Sequence, residues 1–75
     1  MAMKRLCRLF FPKNLIREPL VYRMAKECGV TFDIRETKIM ADGGTLLLAL
    51  DGAEDSLGRA AEWLKAKGVR VEAAE

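Results

Sequence analysis

The sequence predicts an α+β sandwich in which one strand–helix–strand unit is used twice. Three observations predict it. First, the chain matches itself when slid by about forty positions, the spacing of Gly29 and Gly68. Second, each half carries the same order of patterns. Leu6–Phe11 leads through a helix to Cys28-Gly29-Val30, and Thr45–Leu50 leads through another to Lys67-Gly68-Val69. Third, nothing is left over, because 75 residues allow a single domain. Two such units in series give βαββαβ, the ferredoxin-like arrangement of a four-stranded antiparallel sheet with two helices on one face.

Each element has its own local reason. Strand 1 spans about Arg5 to Phe11, with Cys7, Leu9 and Phe11 pointing one way and Leu6, Arg8 and Phe10 the other. Pro12 ends it, since proline cannot donate into a ladder. Leu15 and Ile16 in the following loop are expected to plug the core. Pro19 suits the first turn of a helix, where its missing donor costs nothing, and the Glu18 carboxylate suits the positive helix end. Helix 1 runs from about Pro19 to Cys28 with the stripe Leu20, Val21, Met24, Ala25 and Cys28. Gly29 supplies a left-handed stop.

Strand 2 runs from Val30 to about Met40, with Val30, Phe32 and Ile34 expected inward and Thr31, Asp33 and Arg35 outward. Ala41-Asp42-Gly43-Gly44 reads as the hairpin turn. Strand 3, Thr45 to Leu50, is apolar on both faces, as a central strand should be. Asp51 is placed to cap helix 2, with Glu54 reaching back. Helix 2 spans about Ala53 to Lys67 with the stripe Leu57, Ala60, Ala61 and Leu64, flanked by Trp63. Gly68 stops it, and strand 4 runs from Val69 to Ala73.

Right-handed crossovers place strands 1 and 3 centrally and strands 2 and 4 at the edges. The face away from the helices then carries Arg8, Phe10, Leu47, Ala49, Asp33, Arg35 and Arg70. Phe10, Leu47 and Ala49 make an apolar centre with a charged rim, which reads as a partner surface.

Composition narrows the function. Thirteen basic residues against eleven acidic give a net charge of +2, so no strong attraction to nucleic acid or membrane is expected. No apolar run approaches the roughly 18 residues of a membrane span, and the basic start Met1–Arg5 lacks the apolar stretch of a signal peptide. The expected setting is cytoplasmic. There is no histidine, and two cysteines cannot build a metal cage, so neither a metal nor a cofactor is expected. Cys7 and Cys28 both fall on core faces and read as small buried hydrophobes.

RNA-recognition domains share this topology, but they stack bases on aromatic residues of strands 1 and 3. Strand 3 here is TLLLAL, and only Phe10 is placed to stack. No nucleophile, base and oxyanion site converge, and Gly43-Gly44 sits in a hairpin rather than before a helix. An enzyme is not expected. Asp33 and Arg35, two apart on a strand, read most simply as a solvated ion pair.

The runs LFFPKNLIREPLVYRMAKECGVTFDIR, GGTLLLALDG and AAEWLKAKGVRVE resemble the NIL domain. The resemblance covers about Arg5 to Val71. It rests on Glu18-Pro19-Leu20, Gly29-Val30, Gly43-Gly44, Asp51-Gly52, and Asp33-Ile34-Arg35, where the family has Asn-Ile-Leu. That domain occurs at the C-terminus of methionine-import ABC transporter ATPases and beside iron–sulfur ferredoxin modules. The resemblance implies a regulatory domain that pairs with itself and binds methionine near the pairing surface. It points to Asp33, Ile34 and Arg35 as ligand-binding residues, and to a transporter or ferredoxin-type partner.

This chain departs from the family pattern in three ways. Asp33 only accepts hydrogen bonds where asparagine also donates, so it would hold an ammonium, while Arg35 would hold a carboxylate. The connection between strands 2 and 3 is shorter. The 75 residues hold neither a phosphate-binding lysine motif nor a cysteine cluster, so, if they are the full protein, whatever it regulates is expected on another chain. The expectation is therefore a homodimer sensing methionine or a related sulfur amino acid. The alternative is an interaction module that binds no small ligand.

Overall fold

The computed structural model describes residues 2–15 and 19–74. The elements are β1 (Ala2–Pro12), a 3-10 turn (Lys13–Leu15), α1 (Leu20–Cys28), β2 (Thr31–Met40), β3 (Gly43–Ala53), α2 (Glu54–Ala66) and β4 (Arg70–Ala73). The four strands form one antiparallel sheet in the order β2-β3-β1-β4. This is the ferredoxin-like α+β sandwich that the repeat predicts.

The repeat is visible in the helix ends. At the end of α1 the Val30 N–H donates to the Ala25 carbonyl at 3.2 Å, around Gly29 at φ 71°. At the end of α2 the Val69 N–H donates to the Leu64 carbonyl at 3.1 Å, around Gly68 at φ 98°. Both are six-to-one closures that need a left-handed residue before a returning strand. In each case the valine that follows is buried.

Between the layers lies one core. β1 gives it Cys7, Leu9 and Phe11, and β3 gives Leu48 and Leu50. The helices add Leu20, Val21, Met24 and Cys28, then Leu57, Ala60 and Leu64. Leu15 and Trp63 pack against its margin. No polar or charged residue is buried among those described.

Several expectations are corrected. Asp51 does not cap α2; it lies within β3, opposite Lys4 and Thr31, and Ala53 occupies the cap without a side-chain bond. Pairing with the start of β1 carries β3 on to Ala53, past the point where a cap would form. Glu54 and Asp55 instead meet the positive helix end. The hairpin turn is Ala41-Asp42 alone, since Gly43 and Gly44 already pair with Pro12 and Phe11. Pro19 precedes α1 and accepts its first helical bond, from the Arg23 N–H at 3.0 Å. Ile16 and Glu18 lie outside the described residues.

The largest correction concerns β2. Phe32 and Ile34 do point to the helix side, opposite Leu50 and Leu48, yet nothing covers them fully. They are 36% and 49% exposed, and every residue of β2 is exposed. The cause is the position of the helix layer. α2 lies over β3, β4 and β1 and packs on α1, so the layer stops short of the β2 edge.

Candidate functional site

β2 is also irregular. Its register against β3 slips by one residue between Ile34 and Glu36, leaving Arg35 as the unpaired residue of a bulge. The bulge decides where the three predicted ligand residues go. Asp33 pairs with Ala49 and points to the open face, whereas Ile34 pairs with Leu48 and points to the helix side. The Arg35 Nε donates to Asp33 Oδ2 at 3.1 Å, with both side chains more than half exposed. The structure thus joins Asp33 to Arg35 at the sheet edge and sends Ile34 across the sheet.

Ile34 does not stand alone. Where α1 leaves β2 uncovered, a groove of about 390 Å³ opens between them. Its floor is Phe11, Gly44, Thr45 and Leu46. One wall is the first turn of α1, from Pro19 to Tyr22, and the other is Phe32, Ile34, Thr37 and Ile39 of β2. Among the described residues the lining is apolar apart from the hydroxyls of Tyr22 and Thr37, and no carboxylate or amine lines it. Such a groove suits an apolar side chain or small molecule whose charged groups remain at the rim. The sequence reading missed Tyr22, Phe32, Thr37 and Ile39 as a group.

On the open face, Phe10, Leu47 and Ala49 lie together as predicted, all half-buried. Arg70 stacks on the Phe10 ring at 4.1 Å and its Nε donates to Glu72 Oε2 at 3.4 Å. Cys7 and Cys28 are both buried thiols. Among the described residues no cluster of three or more His, Cys, Asp or Glu is grouped as a metal site would require. None of their helices is long and apolar enough to cross a membrane.

The family model for the NIL domain matches residues 5–73. The chain belongs to the NIL domain family. Among solved structures, this NIL domain is similar to the C-terminal domain of an ABC transporter ATP-binding protein from Enterococcus faecalis. The two are 24% identical, with a TM-score of 0.82 over 93% of this chain and 82% of that one. The C-terminal domain of the MgtC protein from Mycobacterium tuberculosis aligns at 17% identity and a TM-score of 0.61, over 96% and 87% of the two chains. A de novo designed protein, Foldit4, aligns at 16% identity and a TM-score of 0.59, over 96% of this chain and 92% of that one. No curated protein matches the chain. These likenesses establish the fold, and a designed protein among them shows that the fold by itself specifies no ligand.

Proposed function

We propose that this NIL domain is a non-catalytic regulatory domain that binds a small amino acid and acts through self-association. The ligand class is methionine or a related sulfur amino acid, and what it regulates is a transporter ATPase. The observation that carries the reading is the apolar groove beside Ile34, with the Asp33–Arg35 pair at the adjoining edge of β2. A long unbranched side chain fits an apolar slot of this size. Asp33 offers a partner for its ammonium and Arg35 for its carboxylate, once their mutual ion pair opens. The cost of opening is small, because exposed pairs are worth about 0–1 kcal/mol. Family membership and the likeness to a transporter ATPase domain support the partner class.

The test is a thermal melt with and without millimolar L-methionine, with leucine as control. A ligand at 100 times its dissociation constant stabilises by about 2.7 kcal/mol, and each kcal/mol moves a midpoint by roughly 4–8 °C in a domain this small. The expected result is a methionine-selective rise that Asp33→Ala abolishes. Equal silence with both amino acids favours the second reading, an interaction module docking onto a transporter or iron–sulfur protein. That reading rests on the exposed apolar side chains Tyr22, Ile39 and Met40 around the β2 edge.

A further inference from the structure

Three aromatic rings surround the groove beside β2, and each comes from a different element. Phe11 of β1 lies in its floor, Phe32 of β2 forms part of one wall, and Tyr22 of α1 forms part of the other. Only Phe11 belongs to the core. Phe32 and Tyr22 are neither in the buried cluster nor among the partly buried side chains packed against it. They stand 36% and 60% exposed. Single exposed aromatic side chains are common on protein surfaces. These two occupy opposite walls of one opening, and the groove is what they share.

We propose that Phe32 and Tyr22 set selectivity for a thioether, by laying their rings against the sulfur of a bound amino acid. The proposal rests on the reading of this groove as an amino-acid site and names what makes that site prefer sulfur.

The register of β2 fixes the direction of entry. Asp33 and Arg35 form their pair at the strand edge, and Ile34 between them points to the helix side and lines the groove. A ligand whose charged groups replace that pair starts beside Ile34 and sends its side chain inward between the two walls. Phe32 is the neighbour of Ile34 on the same face of β2. The inner part of the side chain therefore meets the wall rings, and its tip meets Phe11 and Leu46 in the floor. In methionine the sulfur follows two methylenes and precedes the terminal methyl. It lies at the level of the walls, and the methyl lies on the floor.

The chemistry of the walls then decides between side chains of one length. A slot of purely aliphatic groups favours a hydrocarbon chain, because a thioether gains less on leaving water. A polarisable sulfur at the edge of an aromatic ring gains a contact that a methylene does not. Each such contact is worth about two- to tenfold in affinity. Among the described residues no carboxylate or amine lines the groove, so nothing in it rewards a charged side chain.

The test compares L-methionine with L-norleucine, whose side chain has the same number of heavy atoms and a methylene in place of the sulfur. Isothermal titration calorimetry of the wild-type chain is expected to give methionine the lower dissociation constant, by about two- to tenfold for each ring in contact. Phe32→Leu and Tyr22→Leu are each expected to shrink that preference, and the double variant to abolish it. Norleucine binding is expected to change much less than methionine binding. Tyr22→Phe keeps the ring and is expected to keep the preference. Neither position belongs to the core, and circular dichroism checks that each variant is folded.

Equal affinity of the wild type for the two amino acids overturns the proposal and leaves the amino-acid reading standing. A methionine preference that survives in the double variant does the same. If neither amino acid binds, the amino-acid reading falls and this proposal falls with it.

Discussion

Gly43 shows how a single position can be fixed by backbone alone. It sits opposite Pro12 at the start of β3, and a Cβ there would run into the Phe11 carbonyl oxygen. A backbone oxygen in a paired strand cannot step aside as a flexible side chain can. Gly43→Ala is therefore expected to cost about 1–3 kcal/mol, the range for local backbone strain. Gly58 is the opposite case. It lies in the interior of α2, exposed, and a methyl group added there would meet nothing within 4 Å. Gly58→Ala is expected to stabilise by about 0.5–1 kcal/mol, through helix propensity and a less free unfolded chain. Thermal melts of both variants should move in opposite directions. If both fall, α2 has a constraint at Gly58 that its open surroundings do not reveal.

At the scale of elements, most of the architecture was legible in sequence, and the part that was not has a definite cause. The repeat around Gly29 and Gly68 sets helix ends and returning strands, because both use the same six-to-one closure. Asp33 and Arg35 read as a solvated pair and form one. What alternation cannot show is how far a helix layer extends across a sheet. Phe32 and Ile34 carry an inward pattern, yet the layer ends before them, and the groove is the gap that results.

The bulge did leave a trace. Apolar positions 30, 32 and 34 are followed by 39, a change of parity that one extra residue explains. Deleting Arg35 is expected to restore a regular ladder while Ile34 and Glu36 keep their faces. The edge would then lose a charge and the irregularity that guards it against other strands. Faster aggregation on heating, followed by light scattering, is the expected outcome. Unchanged aggregation would mean that the exposed charges of β2 protect the edge without the bulge.

At the scale of the whole molecule, the limiting quantity is stability. A chain of this length buries only roughly 60% of the surface its unfolded form exposes. Its core is a single layer of apolar side chains between one sheet and two helices. Two apolar surfaces remain in water, the groove beside β2 and the centre of the open face. Covering either adds stability that the isolated domain lacks, so ligand binding and pairing both register as resistance to unfolding.

Pairing has a signature that ligand binding does not share. When two folded chains associate and unfolded chains do not, the equilibrium depends on protein concentration. A tenfold rise in concentration above the dissociation constant adds about 1.4 kcal/mol per dimer. Shared between two chains of this size, that is a rise of a few degrees in midpoint, since each kcal/mol is worth roughly 4–8 °C. The wild-type midpoint is therefore expected to climb with concentration over that range. A flat wild-type line would mean that the folded monomer carries all of its own stability.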